Sequence, residues 1–138
     1  MEYTLSTSRL AGVPPVRLPG TPWSVRMARA SGGRAALELY AGDDVLDVLV
    51  ATSLDTRLLR GACVGVTDSG RQVLAWGVLE PGRAAAPRVV FTPKGWWVRS
   101  RETQAAVIGG SFWLCVSQGR FSRVAVTRCD GGVERWSV

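Results

Sequence analysis

Residues 60–76 read RGACVGVTDSGRQVLAW, with runs of small and β-branched residues on either side of Asp68-Ser69-Gly70-Arg71. Val and Trp favour strands and an Asp-Ser-Gly sequence favours a tight turn, so this stretch predicts a β-hairpin. Residues 120–136 read RFSRVAVTRCDGGVERW and carry the same pattern 60 positions later. The fold is therefore predicted to be built from antiparallel hairpins.

Similar turn signals recur from Trp23 onward, separated by short runs rich in Val, Leu and Trp. The clearest of these turns are Ser31-Gly32-Gly33-Arg34, Thr92-Pro93-Lys94-Gly95 and Cys129-Asp130-Gly131-Gly132. Strands at this spacing are typical of antiparallel sandwiches and barrels. We predict a mainly β fold, either an antiparallel β-sandwich or a barrel of about eight strands.

The same offset suggests two similar halves, a possible pseudo-repeat of residues 21–80 and 81–138. The positions of the first half that recur are Arg60, Val64, Val66, Thr67, Val73 and Trp76. Chance similarity between two ordinary hairpins would give the same matches. We predict a single mainly-β domain over residues 21–138. Residues 1–20 hold three prolines and are predicted to form an extended arm.

One segment departs from the β pattern. Val and Leu recur at close to helical spacing over residues 45–58, and Asp43 or Asp44 stands where a helix N-cap would be. This predicts a helix near 44–58, with a buried strand over 45–52 as the alternative. The carboxylates of this segment are then interpreted as capping groups rather than as ligands of Mg²⁺.

The residue types that the sequence lacks exclude several classes of active site and metal site. The sequence holds no histidine and three cysteines, Cys63, Cys115 and Cys129, in no paired spacing. Histidine triads are therefore excluded, a zinc site is not expected, and a reducing compartment is favoured. No secretory signal or apolar run of spanning length is seen, so we expect a cytoplasmic protein without a membrane partner. We expect no catalytic residue, no metal and no cofactor.

The net charge of +6 lies in residues 81–138, which hold nine basic and three acidic residues. Side chains alternate between the two faces of a strand, and this alternation assigns a basic face with interleaved Trp to the second half. The residues predicted to form this face and to bind a partner are Arg88, Trp97, Arg99, Arg101, Trp113 and Arg123.

Such a face has three interpretations. Arg and Trp are enriched in protein interfaces, a phosphate backbone pairs with Arg while bases stack on Trp, and Arg also covers Trp on ordinary outer surfaces. We expect a non-catalytic interaction or assembly module that binds a protein partner or self-associates as an oligomer. The alternatives are a nucleic-acid-binding regulatory protein and a small β-barrel enzyme with an apolar substrate pocket.

Overall fold

The computed structural model describes residues 14–51, 56–95 and 99–138, and most of these lie in β-strands. Their twelve strands form three antiparallel four-stranded sheets, which confirms the predicted mainly β class. None of the three sheets closes on itself within these ranges, so a sandwich fits and a barrel does not. The described residues contain no apolar helix of membrane-spanning length.

The chain divides into two compact units, Met1–Leu54 and Asp55–Val138, which we call unit 1 and unit 2. Unit 1 contains sheet A, whose strands are β1 (Val16–Arg17), β2 (Trp23–Arg29), β3 (Ala35–Ala41) and β4 (Asp44–Val50). The strands lie in this order in the sheet, and a 3₁₀ turn at Ser31–Gly33 joins β2 to β3.

Sheet A corrects the predicted helix near 44–58. Residues 44–50 form β4, which pairs with β3 in antiparallel register around a bulge at Leu46. Alternating Val and Leu fit a strand as well as a helix, and pairing with β3 decides between them. The strand alternative holds for 45–50, although Val45 and Leu46 are exposed. Asp43 lies in the preceding turn, so the capping interpretation is wrong too, and residues 52–55 lie outside the described ranges.

Sheet A has an apolar face and a face with a buried ion pair. The buried side chains of the apolar face are Trp23, Leu37, Leu39 and Leu49. On the other face Arg26 stands opposite Glu38, and Arg26 Nε donates to Glu38 Oε1 at 2.7 Å. The Tyr40 hydroxyl donates to the same oxygen at 2.5 Å. The buried Glu38 carboxylate is thus paired, as a buried charge requires. Burial and the neighbouring Glu38 raise the pKa of Tyr40.

Unit 2 contains two sheets. Sheet B is formed, in order, by β5 (Leu59–Thr67), β6 (Gly70–Val78), β10 (Phe112–Gln118) and β9 (Ala106–Ile108). Sheet C is formed, in order, by β12 (Val133–Ser137), β11 (Phe121–Thr127), β7 (Arg88–Pro93) and β8 (Arg101–Gln104). Only Ala105 separates β8 from β9, so the chain crosses from sheet C to sheet B at this residue.

The two sheets of unit 2 enclose one apolar core. The rings of Phe91 and Phe121 meet there with centroids 5.6 Å apart. Trp113 is fully buried, and its indole Nε1 donates to the Leu58 carbonyl at 3.0 Å. This hydrogen bond passes directly over Gly77, where an added Cβ would overlap both partners. Gly77 is therefore required by close packing.

The β5–β6 and β11–β12 hairpins lie at the offset that suggested a pseudo-repeat. Thr67 pairs with Gly70 across a two-residue turn, whereas Thr127 pairs with Val133 across five residues. Residues that match in sequence therefore pair differently in the two hairpins. The division into similar halves, 21–80 and 81–138, stays a prediction.

Candidate functional site

The structure does not assemble the predicted face as one surface. Trp113 lies in the sandwich core, so its predicted outward position is wrong. Both sides of β10 are buried, because Phe112 and Leu114 on the opposite side are inaccessible as well. Alternation along a strand identifies a solvent face only when one side of the strand meets solvent. Trp97 lies outside the described residues.

The predicted arginines of sheet C lie on two different sides. Arg88 and Arg123 are exposed on the face turned away from the core. Arg101 stands opposite Phe91 in the β7–β8 register, which places it on the core-facing side at the sheet edge. Its guanidinium carbon lies 5.5 Å from the centroid of the Phe121 ring. The prediction that Arg101 shares a face with Arg88 and Arg123 is therefore wrong.

The strand pairing nevertheless gathers positive charge at one end of sheet C. The end of β7 lies beside the beginnings of β8 and β11, because Phe91 pairs with Arg101 and Pro93 pairs with Phe121. Exposed cationic residues occupy these strand ends and the connections next to them. We call this cluster the basic end, and it consists of Lys94, Arg99, Arg101, Arg120 and Arg123.

The charges of the basic end are uncompensated. Among the described residues, no ion pair joins any of its five side chains to a carboxylate. The ion pairs seen elsewhere join Arg26 to Glu38, Arg88 to Glu102, and Arg128 to Glu134 and Asp130. Exposed arginines without an ion pair also occur elsewhere in the described residues, among them Arg17, Arg29 and Arg135, but at this end five cations lie together.

Two exposed carboxylates lie in the neighbourhood of the basic end. Gln118 Nε2 donates to the Ser69 carbonyl at 2.8 Å, which holds the β5–β6 turn beside the end of β10. Asp68 is exposed at this turn, and the structure shows no ion pair between it and the basic end. Glu102 follows Arg101 in β8 and is paired with Arg88. Five cations therefore leave the local charge positive.

The opposite end of sheet C carries paired charges. Glu134 accepts hydrogen bonds from the Leu58 N–H at 3.0 Å and from the Leu59 N–H at 2.9 Å. Arg128 Nη1 lies 2.6 Å from Glu134 Oε2 and donates to the Thr56 carbonyl at 2.6 Å. Burial alone would raise the pKa of Glu134, but the two backbone N–H groups and Arg128 hold it below its usual value. We call this set of contacts the Glu134 clamp.

A cavity of about 200 Å³ lies beside the clamp and is lined mainly by apolar side chains, among them Leu58 and Pro87. It is smaller than ligand pockets usually are, at about 300–1,000 Å³. The Glu80 carboxylate at its wall already accepts a hydrogen bond from the Cys129 N–H at 2.9 Å. Core side chains contact one another between the two sheets of unit 2. The apolar substrate pocket of the enzyme alternative stays a prediction.

The thiols differ in accessibility, which predicts an order of alkylation. Cys115 is buried in the core and burial raises its pKa to about 12, so it carries almost no reactive thiolate at pH 8. Cys129 is exposed in the β11–β12 turn. Iodoacetamide at pH 8 is expected to modify Cys129 first and Cys115 only after unfolding, which peptide mass spectrometry of timed samples measures. Early modification of Cys115 in the folded protein would contradict its place in the core.

Comparison with known proteins identifies no relative of this chain. No family model, no curated protein and no solved structure matches the chain. The charges and geometry of the basic end are therefore the observations that bear on function.

Proposed function

We propose that this protein is a non-catalytic binding module whose basic end binds a polyanionic partner. The observation that carries this proposal is the concentration of exposed cations without carboxylate partners at the ends of β7, β8 and β11. Uncompensated charge on a compact surface attracts oppositely charged partners and speeds their association. The basic end thus supports binding by charge.

The distribution of charge over the chain supports the same proposal. Residues 55–138 hold twelve basic and six acidic residues, whereas residues 1–54 hold five of each. Three of the six acidic residues, Glu80, Asp130 and Glu134, lie at the end of sheet C opposite the basic end. Unit 2 is therefore polarised, with its positive pole at the basic end.

The five side chains of the basic end are cationic, and the exposed Trp136 stands next to Ser137, the β12 partner of Arg123. Protein interfaces concentrate their binding energy in aromatic or Arg anchors that fill desolvated pockets. Phe121 is buried beneath Arg101 and offers no such anchor. Electrostatic attraction to five clustered cations supplies most of the binding energy in this proposal, and it favours a polyanion over an ordinary protein interface.

The test compares two variants that lose the same charge from different places. The basic-end variant carries Arg99→Gln, Arg120→Gln and Arg123→Gln. The control variant carries Arg17→Gln, Arg29→Gln and Arg34→Gln, which replace exposed arginines of unit 1. Retention on immobilised heparin, a polysulfated chain, is measured as the NaCl concentration at elution. We expect the basic-end variant to elute at roughly half the salt concentration of the wild type, and the control close to the wild type.

Equal losses in the two variants would overturn the proposal, because net charge alone would then govern retention. Both variants change exposed side chains, so we expect them to keep the wild-type far-ultraviolet circular dichroism and melting temperature. These two measurements separate a loss of binding from a loss of folding.

A further inference from the structure

We infer that the polyanion bound at the basic end is a single-stranded nucleic acid, an inference that rests on the proposed function. The cations of the basic end follow a path from one side of sheet C to the other. Arg123 projects from the outer face of sheet C, whereas Arg101 lies on the core-facing side of its edge. Lys94, Arg99 and Arg120 lie at the strand ends between them. A chain that contacts all five must bend around the end of the sheet.

The stiffness of the partner decides which polyanion can follow this path. Neighbouring strands lie about 4.8 Å apart, so three strand ends span only about 10 Å. Double-stranded DNA has a persistence length of about 150 base pairs and does not bend around an edge of this size. A single strand is flexible and presents one phosphate per nucleotide, so it can meet cations on both sides of the edge.

Hydroxyl groups along the same path provide neutral donors for phosphate oxygens. Thr92 pairs with Arg123 in the β7–β11 register, and its Oγ1 lies 3.3 Å from Ser100 Oγ. Ser100 lies between Arg99 and Arg101 in the chain. Phosphate backbones are commonly bound by Arg, Lys, Ser and Thr together. The site thus combines the side-chain types that bind a phosphate chain.

The experiment measures the binding of two labelled probes by fluorescence anisotropy over a series of salt concentrations. The probes are a fluorescein-labelled dT20 strand and a labelled 20-base-pair duplex. Unlabelled polyglutamate serves as a competitor of dT20. Five phosphate contacts give a slope of log K against log salt of about −3.5 for a single strand. We expect dT20 to bind at least tenfold more tightly than the duplex, with a slope near this value.

The two arginine variants show whether the basic end is responsible. The basic-end variant is expected to reduce the dT20 slope to about −1.4, because two of five contacts remain, whereas the control keeps the wild-type slope. Arg101 Nη1 also donates to the Gln118 carbonyl at 2.7 Å, so the Arg101→Gln variant is first checked for the wild-type melting temperature. Arg101→Gln is then expected to change the dT20 slope by about 0.7 and to leave the duplex slope unchanged, because only the flexible strand reaches both sides. Equal changes for strand and duplex would contradict the bent path.

The outcomes separate this inference from the proposed function. If heparin retention depends on the basic end but dT20 does not bind, the inference fails and the proposed function stands. If neither binds through the basic end, both fail. Displacement of dT20 by polyglutamate at equal charge concentration, or a duplex that binds as tightly as dT20, also overturns the inference, in favour of an acidic protein or of duplex nucleic acid.

Discussion

Gly77→Ala is expected to lower the free energy of unfolding by about 3–5 kcal/mol, the largest effect of any substitution considered for this protein. The added Cβ would overlap the Leu58 carbonyl and the Trp113 indole nitrogen, so their buried hydrogen bond must break or the strands must separate. Overpacking and a lost buried hydrogen bond each contribute about 1–3 kcal/mol. Urea denaturation followed by Trp fluorescence measures the loss.

Gly132→Ala provides the matched control for this substitution. The nearest atom to its added Cβ is Asp130 Oδ1 at 3.0 Å, on an exposed side chain that accepts a hydrogen bond from the Gly132 N–H and can move outward into solvent. We expect a change of less than about 1 kcal/mol there. Should Gly77→Ala fail to fold, Trp113→Phe removes the indole N–H together with part of the buried ring and is expected to lower stability by about 2–3 kcal/mol, from the lost hydrogen bond and the cavity left behind. Equal effects of the two glycine substitutions would contradict the packing described over Gly77.

Glu134→Gln is expected to lower the free energy of unfolding by about 2 kcal/mol at pH 7, a value reduced by partial solvent screening. The amide keeps the shape of the side chain but loses the charge that the Leu58 and Leu59 N–H groups and Arg128 stabilise. Glu102→Gln is the matched control, because its ion pair with Arg88 is exposed and is worth less than about 1 kcal/mol.

The same substitution has a defined pH dependence. The clamp holds the pKa of Glu134 below its usual value, so its stabilisation is complete above the unfolded-state pKa of about 4.3. The stabilisation is lost as the pH falls through the lower pKa of the folded state. The stability difference between wild type and Glu134→Gln is therefore expected to be constant from about pH 5.5 to 8 and to shrink below about pH 4. A difference that stays constant down to about pH 3 would show that the carboxylate charge plays no part.

Local pattern predicted the strands and hairpins well and the faces poorly. The turn at Asp68-Ser69-Gly70-Arg71 and its flanking strands are where the sequence places them, because turn residues and β-branched residues act locally. Which face of a strand is exposed to solvent depends on the other strands and sheets that pack against it. Trp113 is an example, because β10 is buried on both sides and neither set of alternating side chains faces solvent. The segment at 44–50 shows a second limit, since pairing with β3 overrides a spacing that also fits a helix.

The basic end was only partly predictable. The excess of Arg in the second half and three of the five cations, Arg99, Arg101 and Arg123, were identified from the sequence. Lys94 and Arg120 were missed, because they join the others through the pairing of β7 with β11, strands that lie far apart in the chain. The sequence shows only that the second half has an excess of positive charge. The pairing of strands that are distant in the chain determines where in the fold this charge lies.

The crossing at Ala105 has a kinetic consequence. Because one residue separates β8 from β9, the short edge strands of sheets B and C belong to a single stretch of chain. The central pairing of β6 with β10 also joins distant segments, which slows folding because long loops must close first. When β8 pairs at the edge of sheet C, the turn at Ala105 brings β9 to the edge of sheet B. We therefore expect sheet completion and sheet docking to coincide in one cooperative transition, in which unit 2 folds and unfolds as a single body.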